Sequence, residues 1–327
     1  MGISFLKDKF PFFLKVLKYL CTIVIFLFIG FSIKWNDFFI GVTQLSLAYV
    51  CIAFSFCFLH ILVLGIRWYL MIRLEFSQPL HWHLIHFFKA SFFNLITPAA
   101  VGSDVYRLVA MKNSKQDLSI LAGFLIRERV IGFLGFCLFY LICLSGYIIE
   151  KSFLLTPSVF KDIGLILSLC GIIFVCIHLN SNFVIKISAK YLPKSWRVYI
   201  DQFNLSFNYR SMMEFVCLAT LTLLGCLSWV MGAYFLTLSF DSPVPFLGIG
   251  LVCVVSEFSR WLPLTPQGVG IRESVFGYGF SLIGFLPEQG FLVGGVIYIL
   301  NSIALIFLAS LSVCVKNVRK NIEIDAL

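Results

Sequence analysis

Charged residues recur in this chain where their neighbours are apolar, and their types suit the binding of an anionic group. Asp104 and Arg107 follow the apolar stretch Leu84–Ala100, Arg127-Glu128-Arg129 lies inside Leu118–Ile149, and Glu257, Arg260, Arg272 and Glu273 interrupt the last long apolar region. A guanidinium presents a planar fork of donors that matches a phosphate or a carboxylate. The carboxylates can hold those arginines in place or receive a cationic moiety. Glu257 and Arg260 are three residues apart and can pair on one helix face. A charge at the centre of a membrane helix costs about 2.5–3.5 kcal/mol on insertion scales, so such groups face a cavity or one another. Arg127 and Arg129 have a plainer alternative, which is to end a span at the cytoplasmic interface.

Two of these groups follow a matched pair of interruptions. The first reads Ile96-Thr97-Pro98-Ala99-Ala100-Val101-Gly102, the second Leu264-Thr265-Pro266-Gln267-Gly268-Val269-Gly270. Thr97, Pro98 and Gly102 recur in register as Thr265, Pro266 and Gly270, with Gly268 added in the second copy. Proline removes an amide donor and stops a helix, and glycine permits the tight backbone that restarts one. A restarted helix presents unpaired N–H groups and the positive end of its dipole, an arrangement suited to an anion. Arg107 and Arg272 would add bidentate donors there. The alternative is that proline and glycine merely kink ordinary spans.

The elements that must position these residues are membrane helices. Of 327 residues 60% are hydrophobic and 13% charged, where a soluble chain has about 45–50% and about 25%. The apolar runs are continuous rather than alternating, which favours helices over a barrel. Six read as full spans: Tyr19–Ile33, Gly41–Leu64, Val130–Ile149, Ile163–Leu179, Phe215–Leu238 and Phe291–Val315. With the broken stretches Leu84–Ala100 and Phe246–Phe285 they give about eight membrane segments. The expected fold is an all-α polytopic transmembrane bundle, a single domain over residues 1–327, with repeat halves at about 15–179 and 180–316. No small-x-small cleavage site follows Tyr19–Ile33, so it is read as a retained first span rather than a signal peptide.

Basic residues set the expected orientation. They crowd the N-terminal segment (Lys7, Lys9, Lys15, Lys18), the assigned loop after the second span (Arg67, Arg73), the stretch before Val130, the loop Asn180–Glu214 and the tail. Lys34–Phe39, Glu150–Asp162 and Ser239–Pro245 carry one, two and no basic residues. The positive-inside rule puts the rich group in the cytoplasm. The alternation holds only if each broken stretch returns to the side it left, which inverts the second repeat relative to the first and leaves both termini cytoplasmic. Asn180–Glu214, with aromatics among its basic residues, is either an amphipathic segment on an anionic leaflet or a solvated loop.

Several chemistries lack support. The net charge of +9 is dispersed between apolar runs, which fits topology and anionic lipid better than nucleic acid. The 11 cysteines show no metal or redox spacing, and His81, His83 and His86 flank Trp82 without a completing ligand set. No metal, cofactor or nucleotide-binding loop is expected.

At its motifs the chain resembles the lysylphosphatidylglycerol synthase/flippase transmembrane family. The resemblance is carried by Phe93–Pro98 with Gly102-Ser103-Asp104 and Arg107, by Arg127-Glu128-Arg129, and most specifically by Leu262–Glu273, and it covers roughly Lys15 to Lys316. Some members continue into a soluble aminoacyl-transferase domain, which is not expected here because the sequence ends at Leu327, and Gln267 stands where the family usually has glycine. The resemblance implies a flippase-like protein of the cell membrane that moves a phospholipid or lipid-linked precursor with an anionic headgroup. Arg107 and Arg272 would contact phosphate, with Asp104, Glu257, Glu273, Arg260, Arg127 and Arg129 around them. The alternatives are an integral-membrane transferase acting on a lipid-linked substrate, with Glu257 or Glu273 as general base, and a non-transporting partner in lipid or glycan assembly; a lipid-synthesising enzyme would be a partner. With single cysteines in a cysteine-free background, position 242 should label only from outside and position 110 only from the cytoplasm; the reverse pattern at either site would overturn the orientation.

Overall fold

In the computed structural model the described residues are 30, 33–95, 97, 101–112, 118–152, 156–179, 212–260, 265 and 267–325. Nearly all of the expected first span Tyr19–Ile33 and of the loop Asn180–Glu214 therefore falls outside them, as do Pro98 and Pro266. The described chain is all-helical, with ten helices in order: α1 (Trp35–Gln44), α2 (Leu47–Ile72), α3 (Leu80–Phe93), α4 (Val101–Lys112), α5 (Leu118–Lys151), α6 (Ser158–Leu179), α7 (Met212–Thr237), α8 (Phe246–Ser259), α9 (Ile271–Leu282) and α10 (Pro287–Asp325). Four of them, α2, α5, α7 and α10, are long and apolar enough to cross a membrane. Large side chains such as Leu47, Ile149, Leu165 and Met213 stand more than half exposed, a surface that suits lipid rather than water.

Both interruptions in the hydrophobic pattern are breaks between helices. Each divides a helix of 14 residues from one of 12, α3 from α4 and α8 from α9. At 1.5 Å per residue these reach about 21 and 18 Å, short of the roughly 30 Å hydrocarbon core. The two short helices of each pair pack on one another, so each break turns the chain back on itself. By contrast α5, at 34 residues, reaches roughly 51 Å and runs unbroken through Arg127-Glu128-Arg129. Those residues lie within the helix and do not mark its end. The second span likewise continues past Leu64 to Ile72, so Arg67 sits inside α2 and not in a following loop.

The packing is reciprocal. If α1–α5 are matched in order to α6–α10, most packed helix pairs have a counterpart of similar extent: α2 with α10 answers α7 with α5, α3 with α10 answers α8 with α5, and α1 with α10 answers α6 with α5, whereas α9 packs far more extensively on α10 than α4 does on α5. The helices α2 and α7, 26 residues each, pack on each other and run antiparallel. The Ser46 N–H donates to Ser239, Ala53 lies against Gly232, His60 faces the Gly225 carbonyl, and Arg67 donates to Thr222.

Close approach rests on small residues, as expected where lipid supplies no hydrophobic drive between helices. At Gly290 of α10 a Cβ would stand 2.5 Å from the Phe276 carbonyl oxygen and 2.8 Å from the Gly277 Cα of α9, whereas at Gly295 it would meet nothing within 4 Å. Gly290→Ala should therefore lower stability in detergent by about 1–3 kcal/mol. Gly295→Ala, on the same helix, should be neutral or slightly stabilising; equal effects of the two would refute this reading of the α9–α10 contact.

Candidate functional site

The chain end at each break is satisfied by its own side chains. In the first, Thr97 Oγ1 donates to the Phe93 carbonyl at 2.9 Å and accepts the Gly102 N–H at 2.9 Å, while Asn94 Oδ1 accepts the Ser103 N–H at 3.0 Å. One threonine thus closes the end of α3 and the start of α4 together. In the second, the Gly270 N–H donates to Glu273 Oε2 at 2.6 Å. The expectation of free N–H groups awaiting an anion is corrected at these three amides: side chains of the chain itself take them, and Glu273 acts as the anion at the start of α9.

The second break is longer and turns through left-handed backbone. Gln267, Gly268 and Gly270 have φ of 50°, 76° and 87°, values that glycine adopts freely and glutamine at a cost of roughly 1–3 kcal/mol. Several buried polar atoms nearby lack a protein partner: Ser256 Oγ, Arg260 Nε, Thr265 Oγ1, Gln267 Oε1, and Arg272 Nε and Nη1. The two copies of the motif thus differ in use. Thr97 bonds at both ends of its break, and the Thr265 hydroxyl bonds to nothing within the chain.

Between the breaks lies a cavity of about 1070 Å³, its open mouth included. Its lining includes four arginines (Arg67, Arg107, Arg129, Arg260) and three carboxylates (Asp104, Glu128, Glu257), a formal excess of one positive charge. His60, Ser91, Asn94, Ser103, Thr222, Gln267 and Asn301 add uncharged polar groups to the lining. Ile61, Phe87 and Leu305 join it to one apolar core cluster and Cys226 to the other, so the cavity sits at the boundary between the two.

Two glutamates organise the charges. Glu128 of α5 receives Arg107 of α4 at 2.6 Å and lies 3.6 Å from Arg67 of α2. Glu257 of α8 receives Arg272 of α9 at 2.9 Å and Arg260 at 3.1 Å, the second being the three-residue pairing expected from sequence. Asp104 bridges Arg107, at 3.1 Å, and Arg129. Aromatic faces back the buried arginines: Arg107 lies 4.3 Å from the Trp68 ring centre, and Arg272 5.2 Å from Trp229 and 5.6 Å from Tyr298.

The sequence-derived candidates therefore divide. Asp104, Arg107, Arg129, Glu257 and Arg260 meet at the cavity. Arg272, 1% exposed, stands behind it and holds Glu257. Glu273 caps α9, and Arg127 is drawn away to Glu214 of α7 at 2.7 Å. Sequence reasoning overlooked Arg67, because it fell past the assigned end of its span. Glu128 was noted only as part of its triplet, and His60, Thr222 and Asn301 are lone polar residues in apolar runs. The cluster His81, His83 and His86 is not a unit: His83 Nε2 lies 3.1 Å from the Phe76 carbonyl and His86 pairs with Tyr106.

A chain with this helical composition, short paired helices and a charged cavity at their breaks is a multi-pass membrane protein. The family profile described as Lysylphosphatidylglycerol synthase TM region matches residues 16–309, and the chain belongs to that family. A search of curated proteins returns no match.

Breaking a buried ion pair by removing one partner costs about 3–5 kcal/mol. Glu257→Gln and Arg272→Met should each lower stability by that order in thermal unfolding in detergent. The double variant should lose less than the sum of the two; strict additivity would show that the pair is not coupled.

Proposed function

We propose that this protein binds and translocates an anionic-headgroup lipid, or a lipid-linked precursor, between the leaflets of the cell membrane. The observation that carries this reading is the cavity between two helix breaks, with arginines from both halves of the chain on its wall and a positive excess in its lining. Within it Arg129 and Arg260 are the most accessible cations, with side chains 37% and 27% exposed, where Arg67 and Arg107 are at 8% and 6%. The first two are the phosphate contacts, and the buried arginines are their supports. Arg260 Nε and Gln267 Oε1 are buried and unpartnered, so a headgroup reaches them only when the second break shifts. Family membership supports a role in lysylphosphatidylglycerol metabolism or lipid flipping.

The same reading assigns an inverted repeat. Its units are α1–α5 and α6–α10, which moves the division from about residue 180 to residues 152–157. Reciprocal packing supports this pairing, and the antiparallel α2 and α7, as equivalent helices, require a two-fold axis perpendicular to themselves. Such an axis lies in the membrane plane, the arrangement of inverted-topology transporters with a midplane site. The termini are then assigned to the cytoplasm by charge.

In reconstituted vesicles, labelled phosphatidylglycerol should equilibrate between leaflets with the wild-type protein. A hydrogen bond to a charged group contributes about 1.5–3 kcal/mol, so Arg129→Gln and Arg260→Gln should each slow the exchange roughly tenfold or more. Wild-type rates in both variants would sink the proposal, and conversion of the lipid to a new species would favour an enzyme instead.

A further inference from the structure

The helices α5 and α7 carry a second, chemically opposite concavity. On one flank of their contact is the charged cavity, with Glu128, Arg129, Gly132 and Phe136 of α5 and Thr222 and Cys226 of α7 on its wall. On the other is an almost wholly apolar groove of about 440 Å³, its open side included, whose walls include Leu134, Gly135 and Leu138 of α5 and Ala219 and Leu223 of α7. Thr222 lines both. Its hydroxyl accepts a hydrogen bond from Arg67 Nη1 at 3.1 Å on the cavity side. Its methyl group presses on Gly135, where a Cβ would stand only 2.2 Å from Thr222 Cγ2. At this point the two spaces are separated by Thr222 packed closely on Gly135. Farther along the same seam the Arg127–Glu214 ion pair, at 2.7 Å, ties α5 to α7, which gives Arg127 a place in the architecture outside the cavity.

Polar and apolar surfaces meeting across one residue match the chemistry of an amphiphile. A water-soluble anion would need the cavity alone. An acyl chain adrift in the bilayer would need the groove alone, and would take it whatever its headgroup. We propose that a single lipid straddles the α5–α7 seam at Gly135–Thr222, its anionic headgroup in the cavity toward Arg129 and Arg260 and one acyl chain in the groove between α5 and α7. This rests on the lipid-binding reading above and adds the route by which the molecule reaches the cavity: sideways from the bilayer, between these two helices.

The test uses a photoactivatable diazirine placed in the acyl chain of phosphatidylglycerol or of phosphatidylcholine, each a minor component at equal mole fraction in phosphatidylcholine vesicles holding the full chain. Adducts are mapped by mass spectrometry. The expected result is labelling of both groove walls, residues 131–138 and 215–223, stronger with the phosphatidylglycerol probe. That preference should be lost in Arg260→Gln, although residue 260 lies outside the groove. Leu138→Trp, a change at a position 48% exposed, should fill the groove and remove the labelling at 215–223. Equal labelling by the two probes would overturn the proposal, since the groove would then be ordinary lipid-facing surface. Preference that survives Arg260→Gln would overturn it as well. The readout requires no transport: headgroup-dependent labelling by a protein that moves no lipid would sink translocation and keep the straddling site, and flipping without headgroup-dependent labelling would do the reverse.

Discussion

A carboxylate taken out of water into the interior of a membrane protein has to be paired, and in each half of this chain one glutamate meets that need with two arginines. Glu128 gathers Arg107 and Arg67; Glu257 gathers Arg272 and Arg260. Desolvation makes each ion expensive to bury, and the low dielectric strengthens the attraction that offsets it. These pairs fix how helices sit against one another: α2 against the consecutive α4 and α5 around Glu128, and α8 against the following α9 around Glu257. Removing Glu257 would leave Arg272, over the Trp229 ring, without a counter-ion, and removing Glu128 would leave Arg67 without one and Arg107 with Asp104 alone. Arg129 and Arg260 share a carboxylate with a deeper arginine and keep a face toward the cavity, which is why the more exposed pair serves the headgroup in our reading.

The breaks were legible because proline and glycine inside a hydrophobic run have few other uses, and both fell where the motif stands. What the motif could not reveal was how each break closes. Capping depends on side chains reaching across the gap, and Thr97 does so where Thr265 does not, although the two occupy the same motif position. Gln267 shows the gain from joining sequence to backbone. The resemblance implied glycine at this position, and the left-handed φ of Gln267 is backbone that glycine adopts freely. Arg67 was misjudged for a general reason. A hydropathy reading ends a span at the first strong charge, whereas a helix continues through an arginine whose head meets a carboxylate in a cavity. The same logic places Arg127-Glu128-Arg129 in mid-helix. Glu273 was anticipated beside a ligand but is held by the backbone of its own helix start, a contact that only the fold of the second break determines.

The reciprocity of the packing and the inequality of the breaks have to be considered together. Helices of 26, 14 and 12 residues recur in order in both halves, and α2 against α7 is the contact that the pairing maps onto itself. If the breaks were also equivalent, a cavity at their centre would be open, or closed, to both sides alike. They are not. The first is tied by Thr97 and Asn94; the second is longer, passes through three left-handed residues and leaves buried hydroxyl, amide and guanidinium atoms without partners. An unpartnered polar group buried in a protein raises the energy of the state that contains it by about 1–3 kcal/mol. That energy is recovered when water or a ligand supplies the missing bond, or when the segment shifts to find one. Under the translocation reading the second break is therefore the half that rearranges, with a headgroup at Arg260 and Gln267 supplying the bonds it lacks, while the closed first break stays as the fixed wall.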